Sequence, residues 1–150
     1  MRVSRRSVLK GSAAVAVTAF AEPLRAQAPA ADAVTPALIE AARKEGKLVW
    51  YAAMDLPVSE RVARGFEAKY PGISVRIERT GSERQFVRLA QEYGSNIRVA
   101  DVINASDASH FIAWKRNGWL APYVPEDVAK FFPAEHRDAD GLFARSEEHT

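Results

Sequence analysis

The strongest constraint on the fold is an alternation of short strand-like runs with helix-period stretches between Thr35 and Phe132. Lys47 to Ala53 contains the continuous apolar run Leu48-Val49-Trp50-Tyr51, which suits a strand buried on both faces, as in a parallel sheet. Ile73, Val75 and Ile77 alternate with Ser74, Arg76 and Glu78 and read as a second strand. Val99 to Ile103 reads as a third, interrupted by Asp101. Four helices are expected around them. Thr35-Pro36 opens the first with an N-cap threonine and a proline at the first helical position, Leu38, Ile39 and Ala42 form one face, and Gly46 stops it. Asp55-Leu56-Pro57 opens the second, with Val58, Val62, Phe66 and Tyr70 spaced four apart along one side. The third runs from about Ser82 to Tyr93, with Phe86, Leu89, Ala90 and Tyr93 at i, i+3, i+4 and i+7 and Gly94 as its cap. The fourth runs from Asp107 to Asn117, stopped by Gly118. Beyond it, Pro125-Glu126-Asp127 opens one short helix that Pro133 closes.

Strands and helices alternating with short connections imply an α/β fold, a mostly parallel sheet flanked by helices. Open sheets of this kind bind ligands outside the carboxyl ends of their strands. Three segments qualify, and they supply the candidate ligand-binding residues: Ala53, Met54 and Asp55, then Thr80, Gly81 and Ser82, then Ser106 and Asp107. Each ends a strand and begins a helix, where free backbone N–H groups and the positive dipole end suit an anion. Asp55 and Asp107 offer oxygen to a hard cation, with helix capping as their bland alternative role. Thr80-Gly81-Ser82 is the segment best suited to contact, because glycine permits close approach and the two hydroxyls donate. Its structural alternative is a capping box of Ser82 with Gln85. Arg84 and Arg88 read as partners of Glu92 on a solvated face. His110 and His136 lack a second ligand at metal-binding spacing and read as packed or surface residues. Trp50, Tyr51, Trp114 and Trp119 read as core and turn anchors.

Several function classes drop out. The chain has no cysteine, which removes disulfides, thiolate metal sites and a cysteine nucleophile. No G-x-S-x-G, G-x-G-x-x-G or P-loop sequence is present, so no catalytic residues and no enzyme cofactor are expected. The formal charge of +2 divides unequally: residues 1–28 carry five basic side chains against Glu22, and the remainder carries 16 basic against 18 acidic. The body therefore has no positive field for a nucleic acid.

The two ends read differently from the body. Ser4-Arg5-Arg6-Ser7-Val8-Leu9-Lys10 resembles a twin-arginine export motif, followed by the 11-residue apolar stretch Gly11 to Ala21, too short to span a bilayer. Residues 1–30 are thus expected to be a signal peptide and linker, cut between 21 and 31. Arg145-Ser146-Glu147-Glu148-His149-Thr150 resembles one reading frame of a common sequencing adapter, so residues 145–150 are expected to be a non-native tail on an incomplete body of residues 31–144.

Four segments of that body, Glu45-Gly46-Lys47-Leu48-Val49-Trp50-Tyr51, Phe66-Glu67-Ala68-Lys69-Tyr70-Pro71-Gly72-Ile73, Ala100-Asp101-Val102 and Asn117-Gly118-Trp119-Leu120-Ala121-Pro122-Tyr123, carry a family likeness. In that order the chain resembles the N-terminal lobe of an extracellular solute-binding protein of an ABC importer, in the branch of the iron(III)-type binding proteins. The resemblance implies two α/β lobes of the class II type closing over one solute, either ferric iron or a small organic or phosphonate-type anion. It implies delivery to an inner-membrane ABC permease, a periplasmic location and a monomer. In iron-binding members a histidine often comes from the first-strand loop; here Asp55 stands nearest. Asp107 corresponds to a carboxylate after the third strand, and the paired tyrosines of such members belong to a second lobe. Two alternatives stand beside this reading: the N-terminal part of an exported α/β enzyme, and a half-clamp with no activity of its own.

Overall fold

The computed structural model describes residues 30–146. The expected export leader and most of the expected foreign tail lie outside these residues.

Helix α1 (Pro36–Glu45) begins where the Thr35 hydroxyl accepts the Leu38 N–H at 3.2 Å, and ends at Gly46, whose φ of 71° only glycine adopts without strain. Strand β1 (Lys47–Ala52) follows at once. Helix α2 (Leu56–Lys69), strand β2 (Ser74–Arg79), helix α3 (Ser82–Gly94), strand β3 (Val102–Asn104) and helix α4 (Ala108–Arg116) complete the expected alternation. The short helix α5 (Val128–Phe131) closes before Pro133. The three strands form one parallel sheet in the order β2-β1-β3. The expected α/β architecture is therefore present, with the most apolar strand at its centre.

Central position explains the burial of β1. Val49, Trp50, Tyr51 and Ala52 are all buried, and alternation along the strand sends them to both faces. One face joins Val49 and Tyr51 to Leu89 and Trp114, with Phe86, Tyr93, Ile103, Phe111 and Trp119 packed around them.

Four details depart from the sequence reading. Val58 and Val62 are 45% and 52% exposed, whereas Ser59 and Ala63 are the buried residues of α2. Small residues let the helix lie close to the sheet, and the Ser59 hydroxyl is satisfied by donating to the Asp55 carbonyl. Strand β3 is only three residues long. Ahead of it, the Asp101 carboxylate accepts the Val49 N–H at 2.8 Å, doing with a side chain what a longer β3 would do with its backbone. Gly94 is the last residue of α3 rather than its cap. The left-handed position falls on Asn96 (φ 57°), and Ile97 N–H closes the turn on the Glu92 carbonyl at 2.7 Å. The Ser82–Gln85 capping box is absent, because Gly81 occupies the N-cap and Gln85 reaches the Thr80 carbonyl instead.

The start of the body is pinned to the turn before α5 through Asp32 and Val34. Asp32 N–H donates to the Val124 carbonyl and its carboxylate accepts the Val124 N–H, at 2.7 and 2.8 Å.

Candidate functional site

The three candidate loops converge at the carboxyl ends of the strands. Ala53 N–H donates to the Asn104 carbonyl, and Thr80 N–H to the Ala52 carbonyl, so the loops after β2 and β3 are both hydrogen-bonded to the end of β1. A further tie spans them directly. The Ser82 hydroxyl lies 2.8 Å from the Ser106 hydroxyl and accepts the Ser106 N–H at 2.9 Å. Gly81-Ser82 and Ser106-Asp107 thereby line one shallow pocket, together with Arg79, Glu83 and Arg84, while Thr80 lines neither this pocket nor the larger cavity. Ala53, Met54 and Asp55 line a larger cavity of about 1160 Å³ along the open side of β3, and Ser106 borders both.

Arg79, at the last position of β2, connects the first loop to the pocket. Its guanidinium lies 3.8 Å from the Asp55 carboxylate and 3.5 Å from the Met54 carbonyl. Asp55 stands at the N-cap of α2 without a side-chain cap bond, so its carboxylate answers Arg79 rather than the helix. Asp107 does cap: its Oδ1 accepts the Ser109 N–H at 2.8 Å. The backbone and side chain of Ser109, assisted by the charge of His110, hold the Asp107 carboxyl below the usual carboxylate range, so it is ionised at neutral pH. Gly81 has φ −67° and open space where a Cβ would stand, so neither backbone strain nor crowding demands glycine there.

One constellation was not legible as a pair in the sequence. Glu83 in the first turn of α3 and Asp107 and His110 at the start of α4 bring their ligating atoms within 4.8 Å of one another. His110 Nε2 lies 3.2 Å from Glu83 Oε1. The imidazole is buried, as the sequence reading allowed, stacked on Phe86 at 4.7 Å and tilted against Trp114 at 5.8 Å. Sequence spacing missed the trio because the pairing crosses between two helices. The same holds for Arg79, whose only sequence mark was its place at a strand end.

A second charged cluster sits deeper on α3. The Tyr51 hydroxyl donates to Glu92 at 2.6 Å, and Arg88 bridges Glu92 at 2.8 Å and Glu78 at 2.5 Å while its guanidinium lies 4.2 Å from the Tyr51 ring centre. The predicted Arg88–Glu92 pair is present, joined by Glu78 and turned partly inward: the Glu92 side chain is 11% exposed. Arg84, expected beside it, borders the shallow pocket instead. Burial, followed by the bond to Glu92 and its charge, pushes the Tyr51 hydroxyl well above its ordinary value.

Residues 44–145 match the family model of the bacterial extracellular solute-binding proteins. Among solved structures, the chain is similar to iron-bound HitA from Pseudomonas aeruginosa, at 25% identity and a TM-score of 0.55 over 63% of this chain and 30% of that one. It is also similar to a ferric binding protein from Campylobacter jejuni, at 31% identity and a TM-score of 0.54 over 63% of this chain and 29% of that one. The fold likewise resembles that of the Trichodesmium protein IdiA (FutA) in complex with iron and citrate, at 23% identity and a TM-score of 0.55 over 65% of this chain and 30% of that one. The chain thus spans less than a third of the length of these structures. No curated protein matches it.

Proposed function

The chain belongs to the bacterial extracellular solute-binding protein family, and on that premise we propose that it is the solute-capturing component of an ABC importer, working in the periplasm. Residues 31–144 form the N-terminal lobe of a two-lobe clamp, and the partners are a small solute and an inner-membrane permease. Export follows the twin-arginine route, and the lobe is monomeric. The solute is ferric iron or a small organic or phosphonate-type anion, a reading supported by the ferric and iron-bound names of two similar structures. The family supports binding without covalent chemistry.

The observation that carries the site is the convergence of the three strand-end loops through the Ser82–Ser106 tie. That tie fixes two helix N-termini beside one opening, with Arg79 and Arg84 adding positive charge for an anion or for the anion that accompanies a ferric ion. Asp55 and Asp107 supply hard oxygen.

The test is an amide NMR titration of the 150-residue chain with ferric citrate and, separately, with methylphosphonate. Shifts concentrated at 53–55, 80–82 and 106–107 are expected, and they weaken in Ser82→Ala. Shifts confined to other parts of the chain, or turnover of a hydrolysable ester, sink the capture reading.

A further inference from the structure

We propose that Glu83, Asp107 and His110 form a three-ligand site for a divalent first-row transition cation, sharing Asp107 with the proposed solute site. The His110 side chain is only 7% exposed, stacked on Phe86 and tilted against Trp114, and its Nε2 faces the Glu83 carboxylate at 3.2 Å. Its other nitrogen, Nδ1, is buried and has no hydrogen-bond partner among the described residues. A buried imidazole held between two rings and presenting one nitrogen to solvent-facing carboxylates is an oriented donor, not a loose surface group.

The carboxylates complete the set. The cap bond of Asp107 to Ser109 uses one of about four acceptor positions that a carboxylate offers. Glu83 is 82% exposed and free to swing. Ligand atoms around a cation at about 2.0–2.2 Å stand roughly 3 Å apart, which the His110–Glu83 separation already meets. The ligand atoms of the whole trio lie within 4.8 Å of one another.

Ligand chemistry narrows the metal. One imidazole with two carboxylates favours zinc, cobalt, manganese or ferrous iron over calcium or magnesium, which take oxygen alone. Arg79 is occupied by Asp55, while Arg84 borders the pocket and opposes a cation. A cation on Nε2 also leaves Nδ1–H without the acceptor that usually orients a metal-bound histidine. Affinity should therefore fall about 10- to 100-fold below that of a site with such an acceptor.

The experiment uses the full 150-residue chain and Co²⁺ as a spectroscopic probe, with Zn²⁺ as competitor. One equivalent of Co²⁺ should give a ligand-field absorption band that Zn²⁺ displaces, with changes in the His110 ring resonances. Glu83→Gln, at an exposed position, and Asp107→Asn, which keeps the helix cap, should each weaken binding tenfold or more with the melting temperature unchanged. His110→Gln should abolish the band; because that residue is buried, its thermal melt must be checked alongside. Equal Co²⁺ binding by the wild type and both carboxylate variants overturns the proposal, as does the absence of any band at millimolar Co²⁺. Because Asp107 is common to both sites, Glu83→Gln separates them: it should weaken Co²⁺ and keep the ferric citrate shifts at 53–55.

Discussion

Helix α3 carries two polar clusters, and they differ in what neutralises them. Toward its C-terminal half, Glu92 and Glu78 share Arg88 and receive the Tyr51 hydroxyl. In its first turn, Glu83 meets Asp107 and a histidine at the rim of the strand-end loops. The first cluster supplies a guanidinium from within the fold; in the second, two carboxylates meet a single imidazole. A buried carboxylate must be paired internally, because removing it from water without a counter-charge costs several kcal/mol. An exposed one can leave its charge for solvent or for a ligand. The difference separates a part of the helix that holds the fold together from a part free to bind.

Breaking the inner cluster should have the largest effect. Arg88→Met leaves Glu92, at 11% side-chain exposure, without its cation, while Glu78 keeps Arg76 at 2.8 Å. Because Arg88 is itself 39% exposed and partly screened, the expected loss is about 2 kcal/mol, toward the low side for a broken buried pair. Urea unfolding measures it, and Glu83→Gln at the outer cluster should change stability by no more than about 0.5 kcal/mol. Equal losses in the two variants would erase the distinction.

Tyr51→Phe should cost about 1–2 kcal/mol at neutral pH, because Glu92 loses its donor. The same variant sharpens the comparison at high pH. Tyr51 holds its proton to a higher pH folded than unfolded, so its contribution is full below the ordinary tyrosine value of 10.0 and is lost as pH rises above it. Thermal melts from pH 9 to 12 should fall more steeply for the wild type than for Tyr51→Phe.

At the loops, Ser82→Ala removes the tie to Ser106 and should cost about 1 kcal/mol, with amide shifts at 104–107. The smallest change is expected of Asp107→Asn, which retains the cap, set against a modest fall in melting temperature for Asp107→Ala. Because Asp107 titrates below the usual range, the capping advantage of the wild type is fully present above the ordinary aspartate value of 3.8. It is lost as pH falls through the folded value.

Much of the framework was legible in the residues. Thr35-Pro36, Gly46 and Gly118 mark helix ends because capping and positive φ are local matters. The apolar run of β1 announced a central strand for a similar reason: only a strand covered on both faces can afford four consecutive apolar residues. Periodicity was less informative for α2, where Val58 and Val62 share a stripe but Ser59 and Ala63 meet the sheet. A helical pattern states which residues share a side, and the docking angle selects which side is covered. The three strand-end loops could be proposed from topology, yet the Ser82–Ser106 bond could not, since β1 lies between the strands that precede them.

The sequence by itself determined the order of elements, their ends and the parallel α/β class, because each rests on interactions within a few residues. Only the tertiary structure decided that Glu78 would join the Arg88–Glu92 pair while Glu83 would meet Asp107 and His110. Those partners come from different strands and helices. Their meeting depends on how α3 and α4 pack over the apolar surface of Val49, Tyr51, Leu89 and Trp114. Hydrophobic burial is not directional, so which polar groups it brings together emerges only once the layers are assembled.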